Sequence, residues 1–79
     1  MSDVKILGYR GSSYRNILGY LNELKDFGAK VEDDGIVYSC EGSSIRVSNS
    51  EGEIEGKIFL SGVGSKIFGD LEKLTGVCV

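Results

Sequence analysis

The chain has 79 residues, 41% of them hydrophobic and 27% charged, with a formal net charge of −3. This balance excludes a disordered chain, and the length bounds it to one small domain (1–79) that buries only about 60% of its unfolded surface. No apolar run reaches the roughly 20 residues of a membrane-spanning helix, and the start carries no apolar signal region, so a cytoplasmic protein without membrane contact is expected.

In chain order, Asp3 to Tyr9 reads as a strand. Ser12 or Ser13 then caps a helix, because a serine oxygen can accept a bond from a free first-turn amide. Apolar residues recur at Tyr14, Ile17, Leu18, Leu21 and Leu24, while Arg15, Asn16, Asn22, Glu23, Lys25 and Asp26 fill the other face. That spacing predicts an amphipathic helix, with Gly28 after Phe27 as its stop. Asp34-Gly35 is a hairpin-turn pair and would set Val31 opposite Tyr38. Gly42-Ser43 would make a second turn, with Cys40 opposite Ile45 and Tyr38 opposite Val47. A loop over 49–52 would set Val47 opposite Ile54 and Arg46 opposite Glu55. A last strand ends near Ser61. Gly62-Val63-Gly64-Ser65 leads into a helix with the stripe Ile67, Phe68, Leu71 and Leu74, which ends at Gly76. Val77 to Val79 either adds a short edge strand or trails.

The predicted fold is therefore α+β: an antiparallel β-sheet of about five strands with two helices packed on one face, in the order β-α-β-β-β-β-α(-β). The three turns place Val31, Ile36, Tyr38, Cys40, Ile45, Val47, Ile54 and Ile58 on the helix side. A slip of one residue would destroy that agreement. In the first strand Ile6 is expected inward, with Leu7 and Tyr9 outward. Together with Val37 and Phe59 these make four apolar residues on the outer face, either buried by loops at strand ends or forming a patch for a partner or a second copy.

The chemistry is informative mainly by what is missing. With no histidine there is no ordinary Ser-His-Asp or Cys-His system, and Cys40 and Cys78 lack metal-ligand or redox spacing. Cys40 reads as a small buried hydrophobe and Cys78 as an exposed thiol, both reduced in a cytosol. The carboxylates fall on turns and outer faces, where general acid-base work finds no cleft, and Glu32-Asp33-Asp34 lacks the ligand spacing of an EF-hand loop. No enzyme and no cofactor is expected. Two glycine-serine loops, at 8–13 and 62–66, open helices and could hold an anion beside Arg10, Arg15 or Lys66, but neither matches a phosphate-loop or dinucleotide motif. Charge is segregated: residues 32–56 carry Glu32, Asp33, Asp34, Glu41, Glu51, Glu53 and Glu55 against Arg46 alone.

One resemblance follows from three stretches: the strand end Ile6, Gly8, Tyr9, Arg10; Asp26-x-Gly28 closing the helix; and Asp34-Gly35-x-Val37-Tyr38. Over about half the chain this pattern resembles the C-terminal double-wing domain of phage middle-promoter activators of the MotA type. The resemblance implies DNA binding through the wings, whereas wings bearing Asp33, Asp34, Glu51, Glu53 and Glu55 oppose phosphate binding, which depends on lysine and arginine. The expected function is a non-enzymatic binding module, a phage-type inhibitor that occupies a host protein in the host cytoplasm, acting as monomer or homodimer. Its expected protein-binding surface is Asp33, Asp34, Glu41, Glu51, Glu53 and Glu55, which suits a basic partner, with Tyr9, Val37 and Phe59 as apolar anchors. The alternatives are a DNA-binding double-wing module or an anion or nucleotide binder, using Arg10, Gly11, Ser12, Ser13, Arg15, Arg46 and Lys57.

Overall fold

Alternating strands joined by glycine turns, and two segments with one apolar stripe each, assemble into a single sheet with its helices on one side. The computed structural model describes residues 4–33, 35–48 and 55–75. Strand β1 (Val4–Arg10) passes through a 3-10 turn (Gly11–Ser13) into helix α1 (Tyr14–Asn22). Strands β2 (Gly28–Glu32), β3 (Gly35–Cys40), β4 (Ser43–Ser48) and β5 (Glu55–Ser61) follow, and helix α2 (Ser65–Thr75) closes the described chain. The sheet order is β1-β5-β4-β3-β2 with every neighbouring pair antiparallel. The α+β class and the element order are those predicted; the possible last strand at 77–79 lies outside the described residues. Because β1 and β2 form opposite edges, α1 and its flanking turns must carry the chain across the sheet, about 19 Å at four strand spacings.

The hairpin registers differ from expectation, always by an even number. The β2–β3 hairpin closes on Glu32 paired with Gly35 rather than turning through Gly35, which pairs Val31 with Ile36 and Ala29 with Tyr38. Glu41-Gly42 forms the next turn, with Gly42 at φ 74° in the left-handed region, so that Tyr38 faces Ile45. Strand β5 is shifted along β4 relative to expectation, pairing Val47 with Ile58 and Arg46 with Phe59. Even shifts move each side chain along the sheet without turning it over, so the predicted inner face survives. Ile54 lies outside the described residues.

Two expectations are corrected. Leu7 and Tyr9 point inward, 8% and 4% exposed, while Val4 and Ile6 point outward at 54% and 57%. Both alternations of Val4-Lys5-Ile6-Leu7 contain apolar residues, so pairing with β5 decides: Leu7 lies opposite the buried Ile58, and Tyr9 opposite Gly56. Val31 lies on the helix side by register but is 79% exposed, because neither described helix extends over the β2 edge. Cys40, expected buried, is half-buried at the end of β3.

The core comprises Leu7, Tyr9, Ile17, Leu21, Tyr38, Ile45, Val47, Ile58, Leu60 and Leu71. Helix α1 ends at Asn22, one turn before the predicted stop. The amides of Glu23 and Leu24 donate to the carbonyls of Tyr20 and Leu21, both at 3.1 Å, tightening the chain into three-residue turns. Leu24 and Phe27 still pack on the core from these turns. Neither Ser12 nor Ser13 caps α1 in the way predicted: Ser13 occupies the N-cap position without a side-chain bond to the helix.

Three tyrosines tie the layers together. Tyr9 Oη donates to the Ser48 carbonyl at 2.7 Å, and the Tyr9 ring stacks on Tyr14 of α1 with centroids 6.1 Å apart. Tyr38 Oη donates to Asn22 Oδ1 at 2.8 Å, fixing the end of α1 over β3. Tyr20 Oη donates to Asp70 Oδ2 at 2.8 Å and joins the two helices. Burial raises the Tyr38 phenol above its ordinary pKa, with Tyr14 adding to the effect. Burial, then the hydrogen bond and negative charge of Asp70, push Tyr20 up to about 12.

Gly56 makes room for Tyr9. A Cβ at that position would sit 2.5 Å from the tyrosine ring, which is locked by its stacking and its hydrogen bond. Gly56→Ala should therefore expel the ring and cost about 1–3 kcal/mol in chemical denaturation, while Gly19→Ala, which meets nothing within 4 Å, should not destabilise. Tyr20→Phe should lose about 1 kcal/mol at pH 8. Native Tyr20 holds its proton to about pH 12, against 10.0 for the ordinary phenol. Its contribution is complete below pH 10 and falls as pH rises through the folded pKa. Melting curves of the two proteins should accordingly converge between pH 10 and 12.

Candidate functional site

With both helices on one side, no described element covers the other face of the sheet, here called the bare face, and the registers specify what it presents. Its middle row crosses all five strands as Ile6, Phe59, Arg46, Val37 and Lys30. On one side lies the row Val4, Ser61, Ser44, Ser39 and Gly28. On the other, Gly8 faces Lys57 and Gly35 bridges Ser48 and Glu32, with Arg10 opposite Glu55 further out. The Lys57 amide donates to Ser48 Oγ at 2.9 Å, which holds β5 to β4 at this end. The result is an apolar strip of Val4, Ile6, Phe59 and Val37 between hydroxyls and charges.

Among the described residues, the charge on this face differs in sign from that of the chain as a whole. Arg10, Lys30, Arg46 and Lys57 face outward against Glu32 and Glu55, all of them exposed, although the chain carries −3. Arg46 Nη2 donates to Glu32 Oε1 at 2.9 Å, bridging over β3 from β4 to β2. Both partners keep over a third of their surface in water, so the pair contributes little stability and mainly orients the guanidinium beside Phe59 and Val37.

The predicted site residues are dispersed relative to this face. Val37 and Phe59 do lie on it, each half-buried by neighbours. Tyr9 does not: it is a core residue, since its register partner Gly56 belongs to the inner face. Glu41 lies in the β3–β4 turn and Asp33 in the β2–β3 turn, at opposite ends of the six-residue strand β3 and so about 20 Å apart. Glu55 shares the Asp33 end but sits three strands away, about 14 Å. The described carboxylates thus form no single acidic surface; Asp34, Glu51 and Glu53 lie outside the described residues. The alternative set also separates. Gly11, Ser12, Ser13 and Arg15 are at the start of α1 on the helix side, whereas Arg46 and Lys57 are on the bare face and Arg10 is at the end of β1.

Sequence reasoning missed Val4, Ile6, Lys30 and Glu32 as members of the outer face. The signal was present in the two-residue alternation, but it becomes readable only once the partners of β1 and β2 are known. Elsewhere the surface offers shallow concavities. One surrounds the β3–β4 turn at Ser39–Ser44, and another is lined by Lys5, Leu60, Gly62, Val63 and Phe68, where Lys5 Nζ lies 4.8 Å over the Phe68 ring. Among the described residues no three acidic, cysteine or histidine side chains come together as a metal-binding group. No helix among them is long and apolar enough to cross a membrane. Comparison with protein-family models, with curated proteins and with solved structures finds no match.

Proposed function

We propose that this chain is a non-enzymatic binding module that engages a protein partner through the bare sheet face. The observation that carries the reading is the row Ile6–Phe59–Arg46–Val37–Lys30, an apolar and guanidinium centre spanning every strand. Protein interfaces favour that composition: aromatic and arginine anchors at the centre, and a hydrated polar rim, supplied here by the serine row and by Glu32, Lys57 and Arg10. Outward charge that is mostly basic among the described residues suits a partner with an acidic patch, rather than the basic partner expected from the sequence. Inhibition of a host protein, as in a phage-encoded effector, is the finer form of this proposal and rests on the MotA-type resemblance alone.

A second reading has one specific observation in its favour. The same excess of Arg10, Lys30, Arg46 and Lys57 could track a phosphate backbone, with Phe59 as a stacking platform. The two readings differ in salt dependence and in the ligand recovered.

Affinity capture with the wild-type chain and with Phe59→Glu as paired baits tests the first reading. A partner retained by wild type should be lost by the variant, with binding weakened at least about tenfold, while Glu41→Lys at the far turn retains it. Circular dichroism of each bait confirms that the fold is intact. Mobility shift with single- and double-stranded DNA at low salt should show no retention; retention that falls steeply with added salt would transfer the face to the nucleic-acid reading.

A further inference from the structure

The bare face accounts for Phe59 and Ile6 but leaves one feature unused: the open edge at β2. All five of its residues, Gly28-Ala29-Lys30-Val31-Glu32, are exposed, and among the described strands its only sheet neighbour is β3. The Glu32–Gly35 pair next to the turn must be of the doubly hydrogen-bonded kind, since the other kind would require a bond between adjacent residues. Pair types alternate along the ladder, so the amides and carbonyls of Ala29 and Val31 point away from β3 into solvent. Val31, on the helix side, is 79% exposed beside them. An edge with free main-chain groups and an uncovered branched side chain is a template for another strand.

From the order of charges on this edge we infer that the strand that pairs there is β2 of a second copy. A two-fold axis through Val31 sets Val31 against Val31 of the partner subunit as a hydrogen-bonded pair. It also sets Lys30 against Glu32 of the partner subunit, and Glu32 against Lys30 of the partner subunit, in the closely spaced pairs. Two opposite-charge contacts therefore form by symmetry on the outer face, next to the Arg46–Glu32 pair within each copy. Of the neighbouring registers that keep both helix layers on one side, one centred on Lys30 would oppose two lysines, one centred on Glu32 would oppose two glutamates, and one centred on Ala29 would set each lysine against a glycine. Charge selects the register centred on Val31. No described element covers the helix-side face at Val31 or Ala29, both exposed, so the described part of a second copy meets no obstruction there. The interface is isologous and uses up both β2 edges, so growth through this contact stops at two copies.

The dimer stands independently of the partner proposed above, though it bears on it. Each bare face measures roughly 19 by 20 Å, about 400 Å², half of what one side of a standard protein interface buries. Two faces joined edge to edge make a continuous surface of the usual size.

Light scattering after size exclusion, in reducing buffer so that no disulfide forms, over roughly 1 µM to 1 mM should show a monomer–dimer equilibrium. Lys30→Glu puts like charges in both contacts and should weaken the dimer about tenfold or more, as should Glu32→Lys. An equimolar mixture of these two variants restores both opposite-charge contacts and should recover a heterodimer of near wild-type affinity. A monomer throughout the concentration range overturns the inference. So does a dimer indifferent to Lys30→Glu, which places the interface elsewhere or in the lysine-centred register. Weakening by each variant without recovery in the mixture likewise overturns the Val31-centred register.

Discussion

One row of branched aliphatic side chains, Leu7, Ile58, Val47, Ile36 and Val31, crosses the helix side of the sheet, one from each strand. Ile58 and Val47 at its middle are fully buried. Each such side chain contributes about 1.5–3 kcal/mol on burial. A shift of β5 by one residue would exchange Ile58 and Leu60 for Lys57 and Phe59. The parity of β5 is therefore the most strongly specified feature of the molecule, and β1 and β4 take their orientation from it. Helix positions follow in turn, since Tyr14 and Tyr20 of α1 find Tyr9 and Asp70 only when the sheet presents that face.

Burial along the row is graded from one edge of the sheet to the other. It is complete in the middle, partial at Ile36 and absent at Val31, where the helices stop short. The same parity that commits Ile58 and Leu60 to the core commits Phe59 to the bare side, in one row with Ile6, Arg46 and Val37. A strand with apolar residues on both faces cannot bury both against a single layer of helices. The outer residues of β1 and β5 are thus left without helix cover by the geometry of a two-layer fold.

Much of this was legible from the residues. The element order, the antiparallel class and the inner positions of Tyr38, Ile45, Val47 and Ile58 all follow from period-two alternation between turn-forming residues. The turn positions themselves were not legible: glycine can sit inside a two-residue turn, as Gly42 does, or just after one, as Gly35 does. Alternation survived because each error was even. The candidate surface read less well. Charge counted along residues 32–56 suggested one acidic ribbon, but antiparallel hairpins send successive turns to opposite ends of the sheet, which separates Asp33 from Glu41.

By itself the sequence determined the local terms: which segments alternate, which repeat at helical spacing, and the lack of any histidine for ordinary nucleophilic chemistry. Tertiary structure alone decided the orientation of β1, because Ile6 and Leu7 are equally apolar and only the pairing of Leu7 with Ile58 separates them. It also decided that Tyr9 is a core residue opposite a glycine, and that Lys30 and Glu32 share a face with Phe59. Facing is a property of strand pairs, and in this sheet β1 meets its partner strand across most of the length of the chain.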